Sequence, residues 1–358
     1  MAANRAPSSR YHYRHYIMLH SDPPGTGVDT SLGSLESAPG LDAIRIVQTR
    51  IAPWIVQTPT LRCAGLEAVI PGPVSVHGKL EFLQRTGTFK ARGALATIGA
   101  LDAAARTAGV TACSAGNHAI AVAYAASVLD TSAKVVMLAS ASPLRVERCR
   151  EFGAEVVLVD DVHSAFSEAE RISRDEGRYF VQPFEGPSIA LGTATLGMEL
   201  CDQLPDFDTL LVPVGGGGLL AGVACAVRQR RPDCRIVGVE PEGADTMRRS
   251  FAAQAPQSIE AVKTIADSLG APFAMPYSFA LCRQFADEIV TVSDRLLSRA
   301  MRVLFREQKI AVEPACAAGT AALLGPLADE VVGSKVAMVF CGSNIDWGHW
   351  AESAGFYG

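Results

Sequence analysis

Short apolar runs alternate with helix-like stretches through most of this chain, and that alternation restricts it to parallel sheets covered by helices on both faces. The runs are Val74–His77, Val135–Ala139, Ala154–Asp160, Tyr179–Gln182, Thr209–Val214, Arg235–Glu240, Ile289–Val292 and Lys335–Phe340. Between the early ones lie helical segments over Pro143–Phe152 and Ser164–Glu176, each stopped by a glycine, Gly153 and Gly177. Upstream, Leu41, Ile44, Val47 and Ile51 share one face at helical spacing until Pro53 and Pro59 break the pattern.

At 358 residues the chain can form one large or two medium domains. With 49% apolar and 19% charged residues and 32 glycines, it reads as a soluble α/β enzyme. A net charge of −5 gives no electrostatic case for nucleic acid or an anionic membrane as partner. The longest apolar candidate, Ala119–Leu129, is too short for a bilayer span. Nine cysteines without a C-x-x-C pair indicate neither zinc nor a disulfide framework, which fits reduced thiols in the cytoplasm. Residues 1–40 are rich in Ser, Pro, Gly and Ala without periodicity and read as a disordered extension.

Three stretches carry chemistry. In Thr86-Gly87-Thr88-Phe89-Lys90 a lysine follows a turn and opens a helix-compatible run. The positive end of a helix dipole and burial both favour its neutral amine, the form that condenses with an aldehyde. Cys113-Ser114-Ala115-Gly116-Asn117-His118 is a turn whose amides and hydroxyl open a helix from about Asn117, a natural carboxylate site. Val214-Gly215-Gly216-Gly217-Gly218-Leu219 joins a strand to a helix through side-chain-free amides that suit a phosphate monoester. Alone, this last stretch also satisfies a dinucleotide fingerprint, with Glu240 at the end of the next strand as the ribose-binding acid, and it favours neither cofactor. The other two stretches have no role in a dinucleotide enzyme.

Together, Phe89-Lys90-Ala91-Arg92-Gly93-Ala94, Ser114-Ala115-Gly116-Asn117-His118, the glycine loop, Val312-Glu313-Pro314 and Cys341-Gly342-Ser343-Asn344 resemble the fold-type II pyridoxal-phosphate enzymes. Within them they look most like the threonine/serine dehydratase and serine racemase family. The resemblance implies two open, mostly parallel twisted sheets with helices on both faces, similar to tryptophan synthase β. It also implies a small domain over 109–185 set into a larger one (41–108 with 186–358), and assembly as a homodimer or homotetramer. Lys90 is then the catalytic lysine that carries pyridoxal 5'-phosphate. Phe89, Asn117, Gly215, Gly216, Gly217, Gly218, Leu219, Glu313 and Cys341 join it in holding the cofactor, and Ser114, Ala115, Gly116, Asn117 and His118 hold the amino-acid substrate. Lys90 already supplies the base, so His118 is expected to pack or cap at the helix start. Where the racemases place a serine hydroxyl before Gly-Asn-His, this chain has Ala115.

The implied activity is β-elimination of water from L-threonine or L-serine, after which the enamine product takes up water and leaves as a 2-oxo acid and ammonia. A dehydratase for 3-phenylserine or 3-hydroxyaspartate, a serine racemase and an NAD-binding oxidoreductase are the rivals. The stretch Ala266-Asp267-Ser268-Leu269 is expected near the side-chain pocket. In some relatives a divalent cation, Mg or Ca, is bound after the strand that follows the glycine loop. Glu240 and Ala244 match two of its ligands, whereas Thr246 stands at the third and Asp245 is one residue away.

Overall fold

The helix expected from Leu41, Ile44, Val47 and Ile51 runs over Leu41–Ile51 (α1), with three of those side chains, Ile44, Val47 and Ile51, buried. The computed structural model describes residues 37–356, so most of the extension expected over 1–40 lies outside the described residues. Its last residues are already packed. Pro39 is buried, and its carbonyl accepts hydrogen bonds from Cys225 Sγ at 3.3 Å and Gln229 Nε2 at 2.9 Å.

Among the described residues, ten strands form two sheets. The larger contains β1 (Thr60–Arg62), β2 (Ser75–Leu80), β7 (Thr209–Pro213), β8 (Arg235–Pro241), β9 (Glu288–Val292) and β10 (Lys335–Phe340) in the order β1-β2-β10-β7-β8-β9. Only β1 runs antiparallel to its neighbour. The smaller contains β3 (Val110–Cys113), β4 (Ala133–Leu138), β5 (Glu155–Val159) and β6 (Tyr179–Phe180), all parallel, in the order β5-β4-β3-β6. Parallel pairing brings the carboxyl ends of β2, β7 and β10 to one side, where open sheets bind ligands.

The helices follow from local composition. Helix α2 (Lys90–Gly99) and helix α3 (Asn117–Val128) pack together, and α3 also lies against β3 and β4. Covered on both sides, α3 buries every residue from Asn117 to Ala126, which explains its run of alanines without a polar face. Helices α4 (Pro143–Glu151) and α5 (Val162–Glu176) flank the smaller sheet, and Gly153 and Gly177 stop them with φ of 83° and 67°. Helices α6 (Pro187–Gln203) and α7 (Gly218–Arg230) pack against each other beside the larger sheet, and α8 (Thr246–Ala253) follows β8. No helix among the described residues is long and apolar enough to cross a membrane.

Of the strands that outrun their sequence pattern, β2 does so furthest. The expected Val74–His77 is observed as Ser75–Leu80, continuing through Gly78 and Lys79. Gly78 belongs there because a Cβ would fall 2.2 Å from the Phe340 ring on β10. Lys79 is tolerated because its ammonium, fully buried, meets Glu199 at 2.7 Å and the Thr58 carbonyl at 2.6 Å.

Candidate active site

The lysine turn is stitched to the end of β10. Phe89 N–H donates to the Cys341 carbonyl at 3.1 Å, and Ser343 N–H donates to the Gly87 carbonyl at 3.0 Å. Gly87 has φ of 74°, and a Cβ there would lie 2.3 Å from Asn344 Oδ1, so glycine is required for the turn to close. Lys90 is thereby the first residue of α2, and its Nζ donates to the Pro183 carbonyl at 2.5 Å. Burial holds its amine down to about 8, against the opposing pull of Cys341 and Glu313.

The loop after β3 forms the facing wall. Gly116 N–H donates to Ser114 Oγ at 3.2 Å, closing the turn that starts α3. Asn117 is held at both ends of its amide. Nδ2 donates to the two oxygens of Glu313 at 2.9 and 3.0 Å and to Ser268 Oγ at 3.1 Å, while Oδ1 accepts from Asn344 Nδ2 at 2.8 Å. Burial holds Glu313 above the usual carboxylate range, opposed by Arg145 and Asn117. His118 donates from Nε2 to the Val181 carbonyl at 2.8 Å, and burial and then Lys90 push it down to about 3. A neutral imidazole tied to the backbone is placed to pack and not to act as a base at neutral pH.

Gly215–Gly218 complete the cavity at the mouth of β7. A Cβ on Gly216 would sit 2.3 Å from the Phe184 ring, and one on Gly218 would sit 2.5 Å from the Phe184 carbonyl. Gly217 has φ of 93°. The loop therefore has to be glycine, and its amides stand bare at the start of α7. Cys341 lines the same cavity, its thiol kept protonated by Cys316 and by burial.

The cavity measures about 230 Å³. Its walls include Phe89, Lys90, Ser114 to His118, Gly215 to Leu219, Glu313 and Cys341, so the residues expected from sequence for cofactor and substrate converge. Of the stretch Ala266–Leu269, Asp267, Ser268 and Leu269 line it too. Sequence reasoning missed Arg145, Phe166, Phe184 and Phe273, which also form the wall. Arg145 sits on a helix with Arg148 and Arg150 and carries no local mark of difference. It is nearly buried where those two are exposed.

Glu240 and Ala244 stand apart from this cavity, and the cation expected there finds no fitting donor set. The two oxygens of Glu240 accept from the N–H groups of Met247 and Arg248 at 2.8 Å each, capping the start of α8. Asp245 is engaged by Arg248 and by Arg249, and Thr246 Oγ1 donates to the Ala271 carbonyl. Among the described residues no cluster of His, Cys, Asp and Glu is arranged for a metal. Occupied by the α8 amides, Glu240 is equally unavailable as a ribose acid for a dinucleotide.

A buried lysine amine, bare glycine amides at a helix start, a neutral thiol at a strand end and a carboxylate-sized turn suit pyridoxal 5'-phosphate, and together they define a fold-type II pyridoxal-phosphate enzyme. Residues 51–342 match the family model described as pyridoxal-phosphate dependent enzyme, and the chain belongs to that family. It is 50% identical to the phenylserine dehydratase of Ralstonia pickettii over 88% of this chain and 97% of that one. It is 37% identical to the L-threonine ammonia-lyase of Thermotoga maritima over 76% of this chain and 67% of that one. The structure of maize serine racemase superposes with a TM-score of 0.82 at 33% identity, covering 88% of this chain and 97% of that one.

Proposed function

We propose that this enzyme eliminates water from a β-hydroxy amino acid, the released enamine hydrolysing to a 2-oxo acid and ammonia, and that it prefers an aromatic group on the β-carbon. The sequence alone points to L-threonine or L-serine. The observation that moves the preference is the set of phenylalanines around the cavity, Phe166, Phe184 and Phe273 beside Phe89. Phe184 and Phe273 lie 6.2 Å apart with tilted rings, an arrangement that suits a further ring. The similarity to a phenylserine dehydratase points the same way. We take 109–185 as the smaller domain, with substrate entering the cleft between it and the rest.

Pyridoxal phosphate, when bound, supplies the electron sink that makes the α-proton of an amino acid removable. Lys90 would carry it, with the amides of Gly215–Gly218 and Leu219 around its phosphate and the protonated thiol of Cys341 as a neutral partner for its ring nitrogen. Ser114 and the loop amides at the start of α3 would bind the substrate carboxylate. Lys90, once free, takes the α-proton from the face on which it stands, a task matched to an amine near 8. Ala115 has no proton to return from the loop side, so the substrate loses its β-hydroxyl rather than inverting.

The test is ammonia release over 3-phenylserine, L-threonine, L-serine and 3-hydroxyaspartate, with chiral chromatography of the recovered substrate. The expected result is a kcat/KM for 3-phenylserine at least about tenfold above the others, the discrimination available to an apolar pocket. No D-serine should form from L-serine. A highest kcat/KM for threonine or serine would overturn the aromatic preference. D-serine formed as fast as pyruvate would overturn the role of Ala115.

A further inference from the structure

Arg145 has no part in the reaction as laid out, yet its side chain is only 9% exposed and is engaged on every polar edge. Nη1 meets Asp267 Oδ2 at 2.5 Å, Nε donates to the Asn344 carbonyl at 3.0 Å, and Nη2 lies 3.6 Å from Glu313 Oε2. Arg145 sits on α4, beside the smaller sheet. All three partners belong to loops at the larger sheet. A second contact runs parallel to it, from Ser142 Oγ to Asp346 Oδ2 at 3.3 Å. The guanidinium also lies on the substrate loop, since a Cβ on Gly116 would be 2.9 Å from Arg145 Cδ and Nη1. Glu313, on the far side of it, is the carboxylate that holds the Asn117 amide.

We propose that Arg145 is a positioning residue, a clasp across the cleft that fixes the Ser114–Asn117 loop in its substrate-binding shape through Gly116, Glu313 and Asp267. A guanidinium offers donors in a rigid fork and can hold several acceptors in fixed relation, which a lysine cannot. Removing it leaves Glu313 buried with one charged partner fewer and frees the loop over Gly116. A displacement of the loop by a fraction of an ångström weakens substrate binding before it alters the proton transfer at Lys90.

The inference rests on the reaction proposed above for its kinetic arm alone. Amide hydrogen exchange in the cofactor-loaded enzyme reads the clasp without turnover. In Arg145→Gln, exchange at 142–146 and 266–270 should rise about fivefold or more, with the cofactor absorbance retained. In the kinetic arm, KM for the best substrate should rise about tenfold while kcat stays within about threefold, the loss of one charge-assisted hydrogen bond. Arg145→Lys should recover part of this. Asp267→Asn, whose side chain is 55% exposed in the wild type and so tolerant of change, should show a smaller rise in KM. The double variant Arg145→Gln with Asp267→Asn should match Arg145→Gln alone.

Unchanged exchange in both segments would overturn the clasp. Additive effects in the double variant would overturn the coupling. A fall in KM in Asp267→Asn would overturn the positioning role, because it would mean that Asp267 competes with substrate for the guanidinium. If the wild type releases no ammonia from any β-hydroxy amino acid, the proposed reaction fails and the exchange result alone decides the clasp.

Discussion

Lys90 is useful only as a free amine, and its surroundings favour that form. It opens α2, and burial brings it down to about 8. The neutral fraction of such a group grows about tenfold per pH unit below its pKa and then levels off. Cofactor uptake by cofactor-free protein should therefore accelerate with pH up to about 8 and flatten above it, followed by stopped-flow absorbance. A rate still climbing at pH 10 would show an unperturbed lysine. The residues that were legible in sequence, Lys90 and Gly215–Gly218 among them, have local chemistry: the amino acid and its immediate neighbours state the task. Arg145 and Phe273 were not legible. Arg145 acquires its meaning from Asp267, 122 residues away, and nothing in α4 announces that contact.

The elements divide along the same line. Helices with a clear apolar face or a glycine stop, α1, α4 and α5, fall within two residues of their expected bounds. β2 runs on past the apolar pattern that predicts it, through Gly78 and Lys79, and only β10 and α6 reveal why each fits. Glu240 shows a related limit: a carboxylate at a strand end suggests a ligand, whereas both its oxygens accept from amides at the start of α8. Burial raises Glu240 to about 8, over the opposing pull of the Arg248 and Met247 amides. A carboxyl whose folded pKa lies above its unfolded value of about 4.3 binds more protons in the fold. Its contribution to stability is full below about pH 4.3 and is lost as pH rises through about 8. Thermal unfolding should thus show a loss on the order of 4 kcal/mol between pH 5 and 8.5 that Glu240→Gln largely removes. An identical slope in the variant would assign the pH dependence to other groups.

Alternation of strands and helices was enough to anticipate parallel sheets, but not the order of the strands. The last strand, β10, enters between β2 and β7, and this puts Cys341 beside the lysine turn formed far earlier in the chain. The cavity takes its walls from both sheets: the Ser114–His118 loop follows β3, and the glycine loop and Cys341 follow β7 and β10. A cofactor held there contacts both halves in the folded state and neither in the unfolded one. Its binding then stabilises the whole molecule by RT ln(1 + [L]/Kd), about 2.7 kcal/mol at a hundredfold excess over Kd, which for a chain of 358 residues raises Tm by roughly 4 °C. Gly216→Ala separates this effect from general stability. Its Cβ would meet the Phe184 ring at 2.3 Å, so the glycine loop must shift and its amides lose their aim. The variant should melt lower than wild type without cofactor, and adding pyridoxal phosphate should move its Tm by less than about half the wild-type increment. Scanning calorimetry of both proteins with and without the cofactor measures the two increments. Equal increments would show that the glycine loop does not hold the phosphate, even if the variant is less stable throughout.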